Sequence, residues 1–186
     1  MKKFFMILFI VCFSTMNIKA QTKLPDTKTI VAEACKEAAK QNKKAFIIFH
    51  ASWCVWCHKM DSSMNDASCK NFFDKNYVIK HVTVYEQKDK ANLNNPGGEE
   101  FLKQYHADKQ GIPAWFIFDT DGKLLADAQI RPDGAGLNTE GKSVGCPAEK
   151  EEVSHFIKVL KQTTTLTDAQ ANAITARFSK NDVTHH

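Results

Sequence analysis

Two stretches of this chain are almost wholly apolar: Phe46-Ile47-Ile48-Phe49 and Ala114-Trp115-Phe116-Ile117-Phe118. Short runs of aromatic and β-branched residues with turn-forming neighbours predict buried strands. Tyr77 to Tyr85 alternates apolar with polar positions and predicts a third. Lys123 to Ile130 reads as a return strand after the hairpin turn Asp119-Thr120-Asp121-Gly122. Between these runs the spacing changes to that of helices. Ile30 to Lys40 places Ile30, Val31, Ala34, Cys35 and Ala38 on one face, with Asp26, Thr27 and Thr29 all suited to cap its start. Shorter helices are expected over His58–Met64, Cys69–Phe73 and Glu99–Tyr105. A longer one over Glu149–Gln162 carries Val153, Phe156, Ile157 and Leu160 on one side. Thr167-Asp168-Ala169-Gln170 has the form of a capping box and opens a last helix to about Phe178, striped by Ala171, Ile174 and Phe178. Strands interleaved with helices predict an α/β fold.

The remainder is punctuation. Glu86–Asn92 is strongly charged and reads as a solvated loop. Asn94-Asn95-Pro96-Gly97-Gly98 is turn chemistry. Arg131 to Pro147 holds four glycines, two prolines and Cys146, and reads as a long loop. Such loops are either functional or tolerated surface insertions. Asn181–His186 is expected to fray.

The N-terminus changes the picture. Lys2-Lys3, the apolar run Phe4–Phe13 and the more polar stretch to Ile18-Lys19-Ala20 follow the order of a secretory signal peptide. The run is shorter than the ~20 residues needed to span a bilayer. We therefore expect a signal peptide at 1–20, a main domain at 21–165, an accessory helix and tail at 166–186, and a periplasmic or secreted protein with no stable membrane insertion. Lys2, Lys3 and Lys19 account for most of the charge of +4, and removing them leaves 22 basic against 21 acidic residues. That balance does not support a nucleic-acid partner.

Export also changes the meaning of the cysteines, because disulfides persist outside the cytosol. The exported chain keeps Cys35, Cys54, Cys57, Cys69 and Cys146. Cys35 lies on the apolar helix face and reads as a small buried hydrophobe. Cys54-Val55-Trp56-Cys57 follows a strand and a small-residue step, Ala51-Ser52, and leads into a helix. Residues three apart share a helix face, so the two sulfurs can close a small ring. The first lies at the helix N-terminus, where free N–H groups and the dipole favour a thiolate. Such surroundings bring a thiol from a pKa of about 8.5 to roughly 3.5–7.5. A structural clip and a metal site are the competing readings. A two-residue loop stabilises little, and Cys54, Cys57 and His58 lack the second Cys/His pair of a closed zinc site. No cofactor is called for, since the sulfurs themselves carry the electrons.

Trp53-Cys54-Val55-Trp56-Cys57-His58 resembles the active site of the thioredoxin superfamily. Gly111-Ile112-Pro113, followed by the strand Ala114–Phe118, resembles its cis-proline segment. Within that superfamily the chain is similar to secreted or periplasmic thioredoxin-like proteins, including the C-terminal domain of the thiol:disulfide interchange protein DsbD. The resemblance covers roughly Thr27 to Leu160. It implies a thioredoxin-like fold, a central mixed β-sheet flanked by helices, here with an extra C-terminal helix. It also implies a thiol:disulfide oxidoreductase with Cys54 and Cys57 catalytic, and with Trp53, Trp56, Ile112 and Pro113 meeting the substrate. Cys54, at the exposed helix end, would attack, and the more buried Cys57 would resolve. Partners would be disulfide-containing proteins and a redox partner protein.

Val55 and Trp56 add no charge beside Cys54, which points to a reducing or interchange role. The superfamily's buried carboxylate, six residues before the first cysteine, is replaced by Ile48. His50 or His58 could take up the proton of Cys57. A Cys69–Cys146 staple and a third redox thiol at Cys146 both remain open. The competing function is a non-catalytic peptide-binding or folding-assistance module built on Trp56, Ile112 and the Arg131–Pro147 loop.

Overall fold

The structure, a computed structural model, describes residues 23–182, so the signal-peptide reading lies outside the described residues. In chain order the elements are α1 (Thr27–Gln41), β1 (Lys44–His50), α2 (Val55–Met64), α3 (Lys70–Asn76), β2 (Tyr77–Thr83), α4 (Gly98–Gln104), β3 (Ala114–Phe118), β4 (Leu124–Asp127), β5 (Gln129–Ile130), β6 (Lys142–Ser143), α5 (Lys150–Thr163) and α6 (Asp168–Phe178). The main sheet runs β2-β1-β3-β4. β1 pairs parallel with β2, with Ile48 opposite His81, and antiparallel with β3, with Ile48 opposite Trp115. This is the mixed thioredoxin-like sheet.

Every residue from Ala45 to Phe49 is buried because helices cover both faces of β1. Period-two alternation divides the strand between two cores. Phe46 and Ile48 point to a layer built from α2, α3, α5 and α6, with Met60, Phe73, Trp115, Phe156 and Phe178. Ala45, Ile47 and Phe49 point to α1 and α4, with Ala34, Cys35, Phe101 and Phe116. Aromatic rings fill both layers. Phe46 meets Trp115 edge-on at 5.7 Å between centroids, and Phe49 stacks on Phe101 at 5.2 Å. Such pairs contribute about 0.5–1.5 kcal/mol each beyond their burial.

The caps follow the sequence closely. Asp26 Oδ1 accepts from the Lys28 and Thr29 amides at 2.8 and 3.3 Å. The Thr167–Gln170 capping box is formed, and Ala171, Ile174 and Phe178 are buried as their stripe requires. The charged stretch after Glu86 contains a 3-10 turn, Lys88–Leu93, with no buried residue.

Three expectations need correction. The expected strand 123–130 divides at Ala128. Asp127, buried, accepts from the Gln129 amide at 2.9 Å and binds Arg131 through both oxygens at 2.7 Å. That local clamp turns the chain away from β3, and β5 pairs with β6 instead. The Arg131–Pro147 segment therefore contains a strand and is pinned. Arg131 also donates to Thr139 O at 2.5 Å, and the Ser143 amide donates to Gln110 Oε1 at 2.6 Å. The tail does not fray at Asn181. It is buried, and its amide donates to Ser63 Oγ at 3.0 Å and Pro147 O at 3.3 Å.

Candidate active site

β1 delivers the chain to the edge of the sheet, and the Ala51-Ser52 step turns it into α2. Glu86 holds that turn: its carboxylate accepts from the Ser52 amide and hydroxyl at 2.6 and 2.8 Å. These bonds, first among several influences, hold the Glu86 carboxyl below its usual range. The helix begins at Val55, three residues earlier than the sequence pattern suggests. Cys54 is thus the N-cap, and Cys57 lies in the first turn. The two sulfurs form a disulfide.

The Cys57 amide points at Cys54 Sγ at 3.1 Å, where it would favour a thiolate in the reduced form. On the other side Cys54 Sγ lies 3.6 Å from Ile112 O. With the sulfurs bonded there is no proton to share, so this is a contact. In the reduced form a Cys54 thiol would donate there. The Ile112–Pro113 peptide is cis. Ala51, Cys54, Cys57 and Ile112 pack as one small cluster.

Exposure differs from expectation. Cys54 is 3% exposed and Cys57 1%, so the first cysteine is not an open helix end. The Cys57 amide and Ile112 cover its sulfur. Solvent reaches the neighbours instead: Trp53 is 49%, Val55 65% and Trp56 41% exposed. Trp53 donates through Nε1 to Tyr85 O at 2.8 Å, which fixes its ring at the rim. Trp56 lies under Lys59, whose Nζ is 4.2 Å from the ring centroid, a cation–π contact.

Ile48 is buried in the apolar layer beneath α2, so no carboxylate stands there. The two histidines bond elsewhere. His58 Nε2 meets Ser52 O at 3.0 Å, and His50 Nε2 meets Thr83 Oγ1 at 3.3 Å. The His50 ring lies 4.8 Å from that of His81, which binds Asp61 of α2 at 2.9 Å. Burial, then the neighbouring His81, pushes the pKa of His50 down.

Cys35, Cys69 and Cys146 are free thiols and buried, so the Cys69–Cys146 staple is not formed. Burial raises the pKa of Cys35 and Cys69. It pushes Cys146 up to about 12, which opposes a role for it as a third nucleophile at neutral pH.

Sequence reasoning missed one wall of the site. Residues 143–149 fold back against Pro113. Trp115 Nε1 donates to Gly145 O at 2.8 Å, and the Val144 amide donates to Ala128 O at 2.9 Å. Gly145 adopts φ 54°, a left-handed conformation that favours glycine, and lies against Pro113. A cavity of about 290 Å³ opens between this wall, Trp56 and the Ile112–Pro113 peptide. Only the length and glycine content of the loop hinted at it. A larger groove of about 670 Å³ lies between α1, α4 and the turn 119–122, and the redox pair does not line it.

A disulfide at the start of the helix that follows the central strand, beside a cis-proline peptide, defines the thiol:disulfide oxidoreductase class. The chain belongs to the thioredoxin-like family, whose domain profile matches residues 31–131. No curated protein matches it in sequence. Among solved structures it is similar to a disulphide isomerase from Xylella fastidiosa Temecula1, at 19% identity over 84% of this chain and 91% of that one, TM-score 0.46. It is also similar to the oxidised DsbD C-terminal domain of Neisseria meningitidis, at 19% identity over 76% and 98%, TM-score 0.45. A thioredoxin from Thermus thermophilus gives 18% over 75% and 86%, TM-score 0.40. Among the described residues no helix is long and apolar enough to cross a membrane.

Proposed function

We propose that this chain is an exported thiol:disulfide oxidoreductase that reduces or exchanges disulfides in protein substrates. The observation that carries the reading is the Cys54–Cys57 disulfide with the Cys57 amide aimed at Cys54 Sγ. After reduction by an external dithiol, the Cys54 thiolate attacks one sulfur of a substrate disulfide. A Cys54–substrate bond forms and the other substrate sulfur leaves as a thiolate. The Cys57 thiolate then attacks Cys54 Sγ, restores the Cys54–Cys57 bond and expels the second substrate thiolate. Two electrons pass from the protein to the substrate, and each released thiolate takes a proton from solvent.

Trp53, Trp56, Ile112 and Pro113 meet the substrate in this reading. An exposed apolar rim of Trp53, Val55 and Trp56 suits a polypeptide better than a small polar thiol. The Ile112 backbone offers strand-like pairing to an extended segment. With Ile48 where a carboxylate would stand and both histidines bonded elsewhere, water accepts the Cys57 proton. The N-terminal pattern supports export to the periplasm or beyond, and a dithiol protein there would supply electrons.

Insulin reduction with dithiothreitol tests the activity. Wild type is expected to accelerate precipitation and Cys54→Ser to abolish the acceleration. Cys57→Ser is expected to accumulate covalent substrate adducts. Equal rates for wild type and Cys54→Ser would leave the peptide-binding module as the answer.

A further inference from the structure

We propose that the cavity beside Pro113 selects substrate segments carrying a lysine or arginine close to the reacting cysteine. This rests on the oxidoreductase reading and adds the substrate class. The cavity adjoins the redox pair. One side is Trp56, between the two cysteines, and Ile112–Pro113, whose carbonyl reaches Cys54 Sγ. A segment paired with Ile112 therefore has its neighbouring side chains next to this opening.

Val144 and Ala148 give the lining apolar surface, and Gln110 and Ser143 give it polar groups. Glu149, Glu152 and Asp182 add carboxylates to it, and no lysine or arginine is among the lining residues. Capping orders the two glutamates but does not require their charge. Glu152 Oε2 accepts from the Ala148 and Glu149 amides at 3.1 and 3.2 Å, and the Glu149 side chain accepts in return at the start of α5. A serine or threonine would cap without charge. The partial positive charge of the helix end offsets only part of two carboxylates. Of the neighbouring cations, Arg177 is paired with Asp66 at 3.0 Å, while Lys59 lies over Trp56 and keeps its charge beside the cavity. A cavity whose lining offers both apolar surface and carboxylates fits a lysine or arginine, whose stem is apolar and whose head is charged.

The wall is held in place before substrate arrives. The Trp115–Gly145 bond anchors its middle, and Asn181 ties Pro147 to Ser63 of α2. The exported chain is close to neutral, so a preference for basic segments would arise from this wall and not from the protein's overall field.

The test uses the pre-reduced full protein and two cyclic disulfide peptides, identical except for two lysines or two glutamates beside one cysteine. Oxidation of the protein is followed by tryptophan fluorescence. The lysine peptide is expected to react about tenfold faster at low salt. That ratio should collapse towards one in 0.5 M NaCl, where screening reaches a few ångströms. It should also collapse in Glu149→Gln/Glu152→Gln, whose amide oxygens can still cap α5. Equal rates in wild type at low salt would overturn the proposal, as would a ratio that survives in the double variant. The salt arm needs no substitution, so a misfolded variant does not shield the idea. If neither peptide oxidises wild type faster than Cys54→Ser, the oxidoreductase reading itself fails.

Discussion

Two sulfurs lie near α2, and each receives an N–H. Cys54 takes that of Cys57 at 3.1 Å, and Cys146 takes the Asn181 side-chain amide at 3.5 Å. Both residues are buried. Their surroundings differ in kind. Cys54 caps the helix N-terminus, beneath an exposed rim of Trp53, Val55 and Trp56. Cys146 sits in the apolar layer with Met64, Phe73 and Phe178. One hydrogen bond does not make a thiol reactive. The helix N-terminus, present at Cys54 and absent at Cys146, separates the redox sulfur from the buried thiol.

The largest effect expected from this contrast is in alkylation. A thiol pushed up to about 12 is ionised at pH 7 to about one part in 10⁵, against about three in 100 for a free thiol. In the reduced protein, iodoacetamide should therefore label Cys54 at least about a thousandfold faster than Cys146, read by peptide mass spectrometry over time. Comparable rates would erase the distinction. Next comes the packing around Cys146. Phe178 is fully buried and lies 4.9 Å from the ring of Phe156. Phe178→Ala should cost about 3–5 kcal/mol in urea unfolding, and Cys146 should then label faster. A loss under 1 kcal/mol would make α6 an appendage and not a structural layer.

This contrast was half visible in the chain. Phe46–Phe49, Ala114–Phe118 and the Thr167 capping box announce themselves because local pattern and final environment agree. Trp53-Cys54-Val55-Trp56-Cys57 marks the redox corner for the same reason. What stayed hidden depends on contacts distant in sequence. Cys146 next to Asn181, Gly145 against Pro113 and the Asp127–Arg131 clamp that turns β4 aside leave no periodic trace. Asn181 looked like tail because nothing local shows that Ser63, 118 residues earlier, receives its side chain. The exposure of Cys54 was misjudged for a related reason: Ile112, which covers it, arrives from 58 residues away.

A smaller effect belongs to Asn181 itself. Asn181→Ala removes the donor to Ser63, Cys146 and Pro147 and leaves Pro147 O without it. Such a loss costs about 1–3 kcal/mol. Thermal unfolding should register it, with insulin reduction retained if the redox end is independent of the Cys146 flank. Lost activity with an unchanged Tm would show that the two are coupled.

The mildest expected effect is acid sensitivity, which tests whether the polar corner beside the redox pair is also the weaker one. His50 lies on the same face of β1 as Ile48, two residues nearer the active site. Burial first, then His81 and His58, lower its pKa, while Asp61 and Glu86 pull it back only in part. On α5, His155 is lowered by burial, with Lys158 and Arg131 adding to the shift and Asp127 opposing it. A histidine with a depressed folded pKa binds fewer protons than its unfolded counterpart, whose value is about 6.5. Stability is therefore full well above pH 6.5 and falls as pH drops through it, until the folded value is passed. Urea midpoints at pH 7.5, 6.5 and 5.5 should decline in that order. His50→Gln should flatten the decline more than His155→Gln if the redox corner yields first. A midpoint that rises on acidification would mean that the carboxylates, not burial, govern His50.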